Sequence, residues 1–215
     1  MTYLELINDV LVRLREPTVS TNLETTYSTL LGKFVNDAKR QIEDAFAWNV
    51  LVQTITLTTV ASTSSYSLTG AGQKFQVQDV LNVTSNIGMK NIDFATMNRY
   101  QNFSTPVNGI PAYYAFDGVD GSYDTKVTLY PRPDGVYSIP FALVIPQATL
   151  SADATVVKVP DTLVAQNAYA RALVERGEDG GLSSSEAYAL YKSMLSDHIA
   201  LEGTRYPDRG EFVAT

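Results

Sequence analysis

The stretch Ala45-Phe46-Ala47-Trp48-Asn49-Val50-Leu51-Val52-Gln53-Thr54-Ile55-Thr56-Leu57-Thr58 changes its period in the middle. Up to Trp48 the apolar residues come three and four apart, which places them on one face of a helix. From Val50 onward Ile55 and Leu57 alternate with Thr54, Thr56 and Thr58, which places them on one face of a strand. Val, Ile and Thr are the β-branched types that fit a pleated, half-buried surface. The chain therefore leaves a helical region and enters a β region at this point.

Backward from the switch, a stripe through Tyr27, Leu30, Leu31, Phe34, Ala38, Ile42, Ala45 and Phe46 predicts a long helix reaching about Trp48. A first helix precedes it. Thr2 with Glu5 forms a capping-box signature, Tyr3, Leu6, Ile7, Val10, Leu11 and Leu14 follow at helical spacing, and Pro17 ends the helix. Forward from the switch, Ser65–Leu68, Phe75–Val83, Ile110–Phe116, Thr125–Tyr130 and Val136–Ile145 predict further strands, each bounded by Gly, Pro, Asn or Asp. Between them Asp93–Phe103, apolar at Phe94, Met97 and Tyr100, predicts a short helix.

Helical spacing returns at Pro160-Asp161, with Asp161 as the expected cap of a helix carrying Leu163, Val164, Ala168, Ala172 and Leu173. Gly177 and the pair Gly180-Gly181 stop it. Ser183 with Glu186 predicts a second capping box, and Ala187, Leu190, Tyr191, Met194, Leu195 and Leu201 form the final stripe, stopped by Gly203. Amphipathic helices must bury their stripes against something, and two pairs at opposite ends of the chain can do so against each other. The expectation is an α+β protein. A four-helix bundle of two N-terminal and two C-terminal helices, residues 1–49 and 158–203, carries an inserted antiparallel β-sandwich or barrel-like domain, residues 50–157. An extended C-terminal tail, residues 204–215, follows.

The composition excludes several function classes. With no cysteine there are no disulfides, no thiolate nucleophile and no zinc framework built on sulfur. The formal net charge of −7 and the absence of any Lys/Arg run leave no footprint for gripping phosphates, although an acidic wall suits DNA that must slide past without sticking. The N-terminus lacks the basic start and continuous apolar core of a secretion signal, and no apolar run approaches the roughly 18 residues that span a bilayer. A soluble protein made in the cytoplasm, with no membrane partner, is expected.

Catalytic and ligand-binding patterns dissolve on inspection. The single histidine, His198, stands in line with Ala187, Tyr191 and Met194 and has no visible partner for acid–base or metal chemistry. Asp117, Asp120 and Asp124 resemble a calcium loop, but their spacing departs from the EF-hand and no closing Glu follows, so a hairpin turn is expected. Gly70-Ala71-Gly72-Gln73-Lys74 lacks phosphate-loop spacing and reads as a turn. No catalytic, metal-binding or cofactor-binding residue is assigned, and the chain is expected not to be an enzyme. The tail, with Tyr206, Pro207, Arg209 and Phe212 among small and charged residues, has the composition of a peptide that is either frayed or ordered on a partner.

Several runs, taken with the αα-β-αα order, resemble the head-to-tail adaptor or tail tubular proteins of short-tailed bacteriophages. They are Leu6-Ile7-Asn8-Asp9-Val10-Leu11, Glu16-Pro17-Thr18-Val19-Ser20, Ala47-Trp48-Asn49-Val50, Val127-Thr128-Leu129-Tyr130-Pro131-Arg132-Pro133-Asp134, Leu150-Ser151 and Val159-Pro160-Asp161. The Leu-Tyr-Pro-x-Pro-Asp run is the most specific of them. Independently of the family, Pro131 and Pro133 fix the backbone at a strand exit, and Trp48 at the helix-to-strand junction is expected to anchor the sheet on the bundle.

The resemblance implies a structural virion protein of the tail or neck, assembled in the host cytoplasm. It would be a dodecamer, a twelve-fold homo-oligomeric ring stacked on the portal protein that extends the DNA channel for ejection. The ring would present a platform to a distal tail nozzle, fibre or spike protein, and the C-terminal segment would dock on the portal through Tyr206, Pro207, Arg209 and Phe212. The alternative is a receptor- or carbohydrate-binding virion module, in which Tyr113, Tyr114, Tyr123 and Tyr137 stack on sugar rings.

Overall fold

The computed structural model describes residues 1–103, 105, 107–177 and 181–206. It is an α+β chain. In order it runs α1 (Tyr3–Arg13), α2 (Thr26–Ala45), a single 3-10 turn at Asn49–Leu51, β1 (Val52–Thr58), β2 (Ser65–Ser67), β3 (Gln76–Asn82), β4 (Ile87–Gly88), β5 (Lys90–Asn91), α3 (Phe94–Asn102), β6 (Asn108–Gly109), β7 (Tyr113–Val119), β8 (Thr125–Tyr130), β9 (Arg132–Pro133), β10 (Ser138–Val144), α4 (Asp161–Arg176) and α5 (Leu182–Gly203). Its contacts divide into two compact units: Met1–Leu51 with the described part of Gln147–Thr215, and Val52–Pro146.

In the helical unit the Thr2 hydroxyl accepts from Glu5 N–H while the Glu5 carboxylate accepts from Thr2 N–H at 2.8 Å, so the capping box starts α1 as its sequence requires. A second reciprocal cap, Thr25 with Ser28, starts α2. Helix α4 is central, touching α1, α2 and α5, and accordingly buries Gln166 and Asn167 as well as Leu163, Val164, Ala165 and Ala168. Gly32 of α2 lies against the Tyr3 ring. A Cβ there would stand 3.1 Å from Tyr3 Cζ and closer still to its hydroxyl, so only glycine permits this approach.

Several expectations are corrected here. Helix α2 ends at Ala45, not near Trp48, because Phe46 is extended. Its buried face is also rotated from the apolar stripe: Val35, Asn36, Lys39 and Glu43 are buried, whereas Tyr27, Leu30 and Phe34 are half-exposed and Ala45 is exposed. Asp161 is the first helical residue of α4 rather than its cap; Pro160 takes the cap position, and the Asp161 carboxylate accepts from the Met1 amine at 2.7 Å. That amine holds the Asp161 carboxyl below its usual range. Helix α5 starts from left-handed Gly181 without a side-chain cap, so Ser183 and Glu186 do not form the expected box. Its buried stripe is Ser184, Ala187 and Tyr191, while Leu190 and Leu201 face solvent.

Residues 147–157, read from the sequence as part of the β insertion, pack with the helices. The reason is a set of buried polar side chains on α2. Asn36 Nδ2 donates to Leu150 O at 3.0 Å and Asn36 Oδ1 accepts from Leu150 N at 2.8 Å, as a neighbouring strand would. Lys39 and Glu43, each with a side chain 1% exposed, form an ion pair at 3.1 Å. Lys39 Nζ donates to Gln147 O at 2.6 Å, and Gln147 N donates to Glu43 Oε1 at 3.0 Å. Asn22 extends the series by donating to Ser151 O at 2.9 Å. The strap closes on α1, where Tyr3 N donates to Thr155 O at 2.8 Å.

The β unit consists of two four-stranded sheets, ordered β1-β10-β3-β4 and β2-β8-β7-β5, and a small β6-β9 pair. Most pairings are antiparallel; β5 with β7 and β6 with β9 are parallel. One apolar core receives Leu57, Val80, Ile139, Phe141 and Leu143 from the first sheet and Tyr114, Val127 and Leu129 from the second. Alternation sets this arrangement: Ile139, Phe141 and Leu143 are buried and the residues between them only half-buried. Helix α3, capped by Asp93, lies on β7 and β8 and buries Met97.

Candidate functional site

The end of α5 is fastened to the segment that follows α2. Glu202, 8% exposed, accepts from Asn49 N at 3.0 Å through one carboxylate oxygen and pairs with Arg205 at 3.0 Å through the other. One turn later the Tyr206 hydroxyl donates to Ala47 O. Its ring meets Phe46 edge-on at 5.9 Å, and Phe46 in turn meets Trp48 edge-on at 5.7 Å. Trp48 is itself buried and donates from Nε1 to Ile42 O at 2.7 Å. Burial, and secondarily the Glu202 charge, push the Tyr206 hydroxyl pKa upward, so it stays a donor at neutral pH.

Two residues singled out separately from the sequence, Trp48 and Tyr206, thus belong to one aromatic row within the helical unit, with Phe46 as the missing middle. Its helical spacing puts Phe46 on the stripe of α2, which hides its role as a bridge. Glu202 was also missed: a glutamate near a helix end ordinarily reads as solvated, and only the free N–H of Asn49 explains its burial. Pro207, Arg209 and Phe212 lie outside the described residues.

Pro131 and Pro133 sit at the exit of β8. The Tyr130–Pro131 peptide is cis, Pro133 is buried, and Arg132–Pro133 pairs in parallel with Asn108–Gly109. A proline is tolerated there because the pairing needs only one bond from this side, Arg132 N to Val107 O at 2.9 Å.

The aspartate-rich run is the β7–β8 hairpin. Asp120 Oδ1 accepts from Ser122 N at 2.8 Å and Asp124 N at 3.0 Å, while Asp124 Oδ1 accepts from Gly72 N at 2.9 Å. The Ser67 hydroxyl, followed by those two N–H groups, holds the Asp120 carboxyl below its usual range. Gly70 and Gly72 both have positive φ, as the turn at residues 70–74 demands. Of the tyrosines considered for sugar stacking, Tyr114 is buried in the β core and meets Phe116 and Phe141 edge-on, so it has no free face to offer. Tyr137 bonds Asp134, and Tyr123 stands exposed at the hairpin tip.

His198 is half-buried on α5, and among the described residues no three of His, Cys, Asp and Glu converge as a metal site. No helix among the described residues is long and apolar enough to cross a membrane. No curated protein matches the chain. The model of the family described as SU10 adaptor protein matches residues 1–211. The chain belongs to that family, a family of phage head-to-tail adaptors, and is accordingly a structural component of a bacteriophage virion.

Proposed function

We propose that the protein forms a twelve-fold ring between the portal and the distal tail, extends the DNA channel, and docks on the portal through Pro207, Arg209 and Phe212 of the C-terminal tail, residues 204–215, with Tyr206, engaged by Ala47 and Phe46, as its root rather than the portal anchor expected from the sequence. The reading rests first on family membership across nearly the whole chain. The observation that carries the docking is the fastening of Glu202 and Tyr206 onto residues 46–49, which holds the residue preceding the terminal segment at a fixed point of the helical unit. A peptide rooted on a rigid element loses less entropy on binding than one rooted on a loop. In this reading the four long helices act as one bundle that forms the ring body. The ring presents a platform to the distal nozzle, fibre or spike. The net charge of −7 keeps DNA from adhering as it passes.

The experiment is native mass spectrometry and negative-stain imaging of the full chain mixed with its portal. A ring on the portal is expected, and its absence at any ratio would sink the reading. Deleting residues 207–215 leaves Glu202 and Tyr206 in place, so the free chain should melt as before while its portal affinity falls. Unchanged affinity would refute the tail assignment alone.

A further inference from the structure

We infer that the cleft between α2, α4 and α5 around Arg171 receives a carboxylate side chain from a second copy of the chain. The inference rests on the ring reading above and assigns one of its subunit contacts.

Arg171 is half-buried in a cleft with Gln41, Val174 and Tyr188 on its walls. Its Nε donates to Asn167 Oδ1 at 3.2 Å and one Nη donates to Gln41 Oε1 at 2.9 Å. Asn167 is fully buried and also donates to Gln41 Oε1 at 2.9 Å, so the amides that hold the guanidinium are themselves fixed. Both partners are neutral oxygens. Arg13, Arg176 and Arg205 in the same unit each reach a carboxylate, at 2.9, 3.0 and 3.0 Å. Among the described residues Arg171 reaches none.

A guanidinium carries five N–H donors in a fixed fork suited to carboxylates. Here two are engaged, and both hold the fork in place rather than neutralise it. Removing a cation from water without a counter-charge is unfavourable, so a pre-positioned one in a cleft is matched to an incoming anion. The rim has the composition of an interface. Val174 is 68% exposed, Tyr188 is 38% exposed, and Lys192 Nζ lies 4.9 Å from the Tyr188 ring centre. The occupant is a second copy: two chains of net charge −7 repel overall, so a contact between them needs a local cation, and with 23 acidic against 16 basic residues each neighbour has carboxylates in surplus to place on one.

The test titrates the full chain onto its portal and follows, by native mass spectrometry, the loading of the first copy separately from completion of the ring, at low and high salt. Three chains are compared: wild type, Arg171→Gln, and Val174→Glu. The last places an acid three residues along α4, where it neutralises Arg171 without removing its hydrogen bonds. Its site is exposed, so the fold is retained even where Arg171→Gln loses stability; melting of each free chain confirms this. Both variants are expected to load the first copy normally but to need at least about tenfold more protein to complete the ring, and to lose part of the salt sensitivity of that step. Completion by both variants at wild-type concentrations would overturn the inference and leave the adaptor reading intact. Impaired loading of the first copy would place the carboxylate on the portal and overturn it as well. If wild type itself makes no ring, the adaptor reading fails, and this contact with it.

Discussion

The helical and β units solve burial in different ways. Among the described residues every buried charged side chain, Lys39, Glu43 and Glu202, is in the helical unit, where each satisfies a main-chain group of a segment outside the long helices and the strands. The β unit satisfies its loop carbonyls with neutral side chains instead, Thr59, Asn82 and Thr125 donating to Gly135 O, Pro111 O and Gly72 O, while its ladders pair its strand backbone and its core is built largely of Leu, Val, Ile, Phe and Tyr. Apolar burial is non-directional and tolerates repacking; buried hydrogen bonds to charge specify one arrangement and fail sharply. The helical unit is therefore the more precisely positioned of the two and the more easily broken by a polar substitution.

The largest effect tests that contrast directly. Lys39→Met should cost about 3–5 kcal/mol, because it leaves the Glu43 carboxylate buried without its cation and Gln147 O without its donor. Phe141→Ala in the β core should cost a similar amount, about 3–5 kcal/mol, through a cavity. The two differ in rescue. Phe141→Leu should recover most of the loss, whereas Lys39→Arg should not, because a longer, forked cation has no room beside Gln147. Denaturant melts followed through Trp48, the single tryptophan and a reporter within the helical unit, check the first substitution. Equal rescue of both would remove the contrast.

A smaller effect sharpens the packing side of the helical unit. Gly32→Ala should destabilise by about 1–3 kcal/mol, since its Cβ meets the Tyr3 ring. Adding Tyr3→Phe should return part of it, giving a non-additive pair in a double-mutant cycle. Strict additivity would show that the ring moves aside freely.

The smallest effect is in the β unit and depends on pH. The folded Asp120 carboxyl lies below its ordinary value, so its contribution is present above the unfolded carboxylate pKa and is lost as pH falls through the folded one. Amide protection of the β7–β8 hairpin should decline in that acid window, and Asp120→Asn should weaken protection at neutral pH while flattening the decline. An unaltered acid profile would exclude Asp120 as its source.

Much of the fold was legible in the sequence because periodicity reports which face is buried in regular elements. The change from helix to strand, which falls at Val52 after a 3-10 turn rather than at Val50, the short helix following Asp93 and the Thr2–Glu5 box all follow from local rules. The strap at residues 147–157 was not legible, since it has no period of its own and its partners are the side chains of another element. A signal did exist. Asn36, Lys39 and Glu43 recur three and four apart immediately beside Val35, Ala38 and Ile42, so the polar residues continue the buried face rather than oppose it. Reading polar residues on a helix as solvated hid them. The site was half legible: Trp48 and Tyr206 could be named, but the contact through Phe46 joins residues about 160 positions apart, which local rules cannot see.

The strap also bears on how the protein can change over generations. Toward α2, Leu150 and Gln147 present only main-chain groups, which any residue but proline supplies, whereas the holders Asn36, Lys39 and Glu43 act through side-chain chemistry with few substitutes. Drift should therefore be loose along parts of the strap and strict on three polar positions of a helix, the reverse of the usual expectation that charged helix residues vary and buried connections stay fixed.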